Sequence, residues 1–85
     1  MEKRIGAILI LIEDKDQVHR LNDLLSRHSS LILARQGLPL RDRQLNIISL
    51  VIEGSTDEMS ALTGPLGKLP GVQIKSMVAK AGSII

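Results

Sequence analysis

The chain has 85 residues, 44% hydrophobic and 24% charged, a net charge of +2, and no Cys, Phe, Tyr or Trp. That length holds one small globular domain with a modest, wholly aliphatic core. The missing cysteines exclude disulfides, thiolate nucleophiles and cysteine-based metal sites, while the near-neutral charge and missing aromatics argue against nucleic-acid binding by a basic surface or by base stacking.

Residues Arg4 to Glu13 begin the pattern, a nearly continuous run of Ile and Leu. Positive charge followed by an aliphatic run imitates a signal peptide, but Glu13, Asp14 and Asp16 stand where a small-residue cleavage site is needed, and the run is too short to span a membrane. It reads as a central strand of a cytoplasmic protein. Asp14 is expected to cap a helix whose third position is Gln17, with Val18, Leu21, Leu25 and His28 at helical spacing. Leu31 to Gln36 reads as a second strand, and Gly37, Pro39 and the charged RDR as a wide loop leading to a third, QLNIISLVIEG. Ser55 and Glu58 form a capping box, after which Met59, Leu62, Leu66 and Leu69 share one helical face. Pro70 and Gly71 stop that helix, and Val72 to Lys80 alternates as a last strand. Residues 1–80 are expected to form the domain and 81–85 a tail.

Strand, helix, strand, strand, helix, strand with right-handed crossovers predicts an α+β, ferredoxin-like βαββαβ sandwich: a four-stranded antiparallel sheet, strands one and three central, two helices on one face. Both sides of the central strands are aliphatic: Ile8, Ile10 and Ile12 alternate with Ala7, Leu9 and Leu11, and Ile48, Leu50 and Ile52 with Ile47 and Val51. Helices cover one side only. The other predicts a homo-oligomer packed through the open face of the sheet.

The stretch GPLGKLPGV, residues 64–72, resembles a phosphate loop but has two residues between Gly64 and Gly67 where a P-loop needs four, and no Ser or Thr after Lys68. It also follows a helix and precedes a strand, the reverse of a dinucleotide fingerprint. Gly64 and Pro65 are expected to weaken the helix, Gly71 to turn the chain, and the unpaired Ala61 carbonyl remains open to a ligand. His19 and His28 lie nine residues apart on one helix and point to opposite sides, so one chain has no histidine pair for a metal. No serine sits in a nucleophile elbow, and the acidic residues fall at helix starts, where the helix dipole accounts for them. Arg41 and Arg43 beside Arg35 can hold an anion or form a solvated loop.

The run ILARQGLPLRDRQLNIISLVIEGSTDEMSALTGPLGKLPGVQIKS, with RIGAILILIEDKD before it, closely resembles the family of small iron-only hydrogenase system regulators. Its most specific parts are Arg35-x-Gly37-x-Pro39, Ala61-Leu62-Thr63-Gly64 and Leu66-Gly67. The resemblance implies an ACT-like fold, akin to the regulatory domain of the nickel-responsive repressor without its DNA-binding part, and no defined enzymatic activity. Pro65 stands where relatives commonly have Lys, and the repressor's His and Cys nickel ligands are missing, so nickel sensing is not carried over.

The resulting expectation is a non-enzymatic regulatory module of an iron-only hydrogenase system, homo-oligomeric and cytoplasmic, with no cofactor, metal, membrane or direct nucleic-acid contact. A small ligand is expected at Arg35, Gly37, Gly64 and Gly67, with Arg35 as an anion contact. The alternative is a protein-protein adaptor in hydrogenase maturation or transcription regulation, with no small ligand. An acylphosphatase-like hydrolase of this fold lacks its anion loop after the first strand.

Overall fold

The computed structural model describes residues 2–80, so the expected tail lies outside the described residues. Strands β1 (Arg4–Ile12), β2 (Ile32–Leu40), β3 (Leu45–Gly54) and β4 (Val72–Val78) and helices α1 (Val18–Arg27) and α2 (Thr56–Gly67) follow in the order expected from the sequence. The sheet runs β2-β3-β1-β4 with every neighbouring pair antiparallel, which is the ferredoxin-like, ACT-like sandwich with β1 and β3 central. The core lies between sheet and helices: Ile8, Ile10 and Ile12 of β1 and Ile48, Leu50 and Ile52 of β3 meet Leu21 and Leu25 of α1 and Met59, Leu62 and Leu66 of α2. Only aliphatic and thioether side chains fill it, so its cohesion rests on area buried and close packing.

The two helices begin differently. At α2 the capping box forms in full: the Glu58 amide donates to Ser55 Oγ at 3.1 Å and the Ser55 amide to Glu58 Oε1 at 2.9 Å. Hydrogen bonding from Ser55, its backbone amide first and its side chain second, holds the Glu58 carboxyl below the ordinary glutamate value. At α1 the expected box does not form. Asp14 Oδ1 accepts from the Asp16 amide at 2.9 Å and caps a 3-10 turn, Lys15–Gln17, that precedes the helix. Gln17 is buried, and its Oε1 has no hydrogen-bond partner. The pattern matched by residue type, but the extra turn rotates Gln17 inward, away from the cap.

A second correction concerns β2. It runs on through Gly37 and Pro39 to Leu40, and the link to β3 is a 3-10 turn, Arg41–Arg43, closed by Gln44 in the left-handed region (φ 52). Pro39 fits because β2 is an edge strand that needs ladder bonds on one side only. Pairing shifts between Ile32 and Ala34, a bulge that sets Arg35 opposite Leu50 and Gly37 opposite Ile48 on the helix side. α2 passes through Gly64 and Pro65 without interruption and ends at Gly67, so Leu69 packs on the core from the turn beyond the helix. Gly71 (φ 67) makes the turn, and its carbonyl accepts from the Glu13 amide at 2.8 Å.

Candidate functional site

Alternation places Ile5, Ala7, Leu9 and Leu11 of β1 on the side of the sheet away from the helices. The pairings Ala7 with Val51 and Met77, Leu9 with Ser49 and Lys75, and Leu11 with Ile47 assemble one continuous face. Leu38 of β2 joins it opposite Ile47. Ile5 and Leu9 are each 44% exposed, Val51 41%, Leu38 53% and Met77 69%. Scattered surface aliphatics are ordinary, but these are neighbours on one sheet, an apolar patch edged by Glu53, Gln73 and Lys75.

The helix side carries a second feature, at the β2 edge. Arg35 Nη2 donates to Asn22 Oδ1 of α1 at 2.6 Å, and a groove of about 300 Å³ runs beside this pair, where Gly37 supplies no side chain. The structure therefore brings Arg35 and Gly37 together. It does not bring Gly64 and Gly67 to them: both lie exposed on α2, the helix that packs against β4. Nor do the three arginines cluster. Arg41 and Arg43 sit in the turn after Leu40, about 20 Å of extended strand from Arg35. Arg41 and Lys15 instead flank a separate hollow by that turn. Asn22 was missed in the sequence, since its partner is 13 residues away and no local period links the two.

His19 is exposed on α1 and His28 half-buried at its C-cap. Among the described residues no group of three or more His, Cys, Asp or Glu is placed to hold a metal. No described helix is long and apolar enough to cross a membrane. Among the described residues the one displaced carboxyl, Glu58, owes its shift to helix capping.

Comparison with known proteins agrees with this geometry. The family model "TM1266-like: Iron-only hydrogenase system regulator, putative" matches residues 4–76. The protein TM1266 of Thermotoga maritima, whose structure is known, is 39% identical, with a TM-score of 0.87 over 93% of this chain and 100% of that one. A protein of unknown function from Galdieria sulphuraria is similar at 18% identity (TM-score 0.64, 96% of this chain and 48% of that one). A structure described as a "putative glycine cleavage system transcriptional repressor" is similar at 10% identity (TM-score 0.72, 100% of this chain and 51% of that one). These last two show the fold alone, and this chain spans about half of each. Among curated proteins nothing matches. With nearly its whole length matched by the family model and by the Thermotoga structure, the chain belongs to the TM1266-like family of iron-only hydrogenase system regulators.

Proposed function

We propose that this chain is a non-enzymatic regulatory module of an iron-only hydrogenase system, working in the cytoplasm as a homo-oligomer joined through the open sheet face and responding to a small ligand. The apolar face carries the reading. Each 100 Å² of apolar surface withdrawn from water contributes about 2.5 kcal/mol before association entropy is subtracted, and a stable interface covers about 800 Å² per partner. Leu9 and Val51, at its centre with Ala7 and Ser49, supply an apolar surface that a second copy can match. Regulation by ligand fits a chain whose polar groups are arranged for binding, Arg35 with Asn22, rather than for proton or acyl transfer.

Light scattering on the purified chain at micromolar concentration tests the assembly. A mass at a whole multiple, two or more, of 9.3 kDa is expected; a monomer overturns it. Leu9→Glu, which places a carboxylate next to Lys75 on the same sheet, is expected to return the protein to a monomer while the fold survives.

A second reading, the adaptor without a small ligand, draws on the groove between the helices. Leu24, Pro65 and Leu69 form its apolar part, and Arg20, Arg27 and Lys68 against one acid, Asp23, leave it net positive, a surface suited to an acidic, amphipathic segment of another protein. Native mass spectrometry of the protein from its own host separates the readings: a retained small molecule supports the first, a retained protein with no small molecule the second.

A further inference from the structure

Gly37 leaves the helix side of β2 bare opposite Ile48, and a Cβ built there meets nothing within 4 Å. The groove this opens is walled by Ile12, Val18, Pro39 and Ile48. Arg35 is the single charged residue in its lining, with the Asn46 amide as a neutral neighbour. The bond to Asn22 orients the guanidinium but uses one of its five N–H donors, and no carboxylate among the described residues pairs with it.

We infer that this groove binds a short aliphatic carboxylate, its carboxyl group on Arg35 and its branched tail against Val18, Pro39 and Ile48. One guanidinium matches one carboxylate through two parallel hydrogen bonds. A dianionic phosphate would meet a single cation beside an apolar wall. A free amino acid would bring its ammonium group to a lining that holds no acid to receive it. The space, about 300 Å³ and open to solvent, accommodates a small branched chain. This deepens, and rests on, the reading of the chain as a ligand-responsive regulator.

The test is titration of the full-length, ¹⁵N-labelled protein with 4-methylpentanoate, followed through its backbone amide signals. Parallel arms use 4-methylpentanamide, leucine, inorganic phosphate and N-acetylisoleucine. Saturable shifts are expected at Asn22, Gly37 and Ile48, at least tenfold weaker with the neutral amide, with leucine and with phosphate. Arg35→Gln is expected to weaken binding at least tenfold. Gly37→Leu, whose side chain fills the groove from an ordinary backbone conformation, is expected to abolish it. Tighter binding of 4-methylpentanoate than of N-acetylisoleucine assigns the site to a free acid; the reverse order assigns it to the carboxyl end of a peptide. Equal shifts with acid and amide, no saturable shift, or unchanged binding in both variants overturns the site. Mass measured on the same samples keeps the two ideas apart: an oligomer without saturable shifts fails the site alone, and a monomer that binds fails the assembly alone.

Discussion

The two halves of the sandwich, β1-α1-β2 and β3-α2-β4, share a topology but are closed very differently. The second half is tied at each joint. β3 ends at Gly54, where an added Cβ would come within 2.6 Å of Leu31; Ser55 and Glu58 then start α2 reciprocally, and Gly71 bonds back to Glu13. The first half is looser. It enters α1 through a 3-10 turn that buries an unpartnered Gln17 oxygen, leaves through another, and continues into a bulged edge strand exposed along most of its length. The groove beside Arg35 is lined mostly by the looser half, with Asn46, Ile47 and Ile48 of β3 completing it. The tied half acts as the frame.

If that contrast is real, the largest loss should come from Gly71. Alanine there must hold φ 67, and its Cβ would lie 2.7 Å from Asp14 Cβ, pushing on the residue that caps the first 3-10 turn. Gly71→Ala is expected to cost about 2–4 kcal/mol, lowering the thermal midpoint in far-ultraviolet circular dichroism by roughly 10–30 °C. A change under about 1 kcal/mol would show that this joint does not tie the halves together. Next comes the cap: Ser55→Ala is expected to cost about 1–2 kcal/mol in urea unfolding. The same cap has a pH signature. Because Glu58 is held below its ordinary value in the folded chain, its contribution is complete above the unfolded-state value and fades as pH falls through the folded one. The wild type should therefore lose stability on acidification below about pH 4.5, and Glu58→Gln, which removes the titrating carboxyl, should flatten that part of the curve.

How far each half could be read from sequence follows the same division. The tied half is written in short-range signals: Ser55 and Glu58 three apart, the leucines of α2 in phase, Pro70-Gly71 at the turn. The central strands were legible too, since strict alternation of Ile8, Ile10 and Ile12 survives any choice of neighbour. The looser half misleads for physical reasons. Gly37 and Pro39 are turn formers by local preference, but an edge strand tolerates both, and the extent of β2 depends on its pairing with β3. Asp14 and Gln17 imitate a capping box that an inserted 3-10 turn disrupts. Of the candidate site, Arg35 was legible as an anion contact and Gly37 entered through the resemblance; the fold brings these two together, and Asn22 joins them only through folding. Gly64 and Gly67 entered by resemblance, and they lie on the other helix.

A smaller effect, of opposite sign, probes the looser half directly. Gln17→Met keeps the length of the side chain and removes the orphaned acceptor, so a gain of about 1 kcal/mol is expected. A loss instead would mean that the amide serves a contact made only in the assembled or liganded protein, and the half would be less loose than its isolated fold implies.

The smallest effect is expected at Gly64, where two influences oppose each other. The position is exposed, within α2, and a built Cβ meets nothing within 4 Å, which by helix propensity alone makes alanine better by about 0.5–1 kcal/mol. But Pro65 follows, and its ring crowds the Cβ of any preceding residue held in helical conformation. Gly64→Ala should therefore change stability by less than about 0.5 kcal/mol, while the same substitution in a Pro65→Ala background should show the full gain. A double-mutant cycle in urea measures that coupling. If it is present, and Gly64→Ala leaves the 4-methylpentanoate titration unchanged, Gly64 is where it is because a proline follows it within a helix, and the ligand contacts belong to the β2 edge alone.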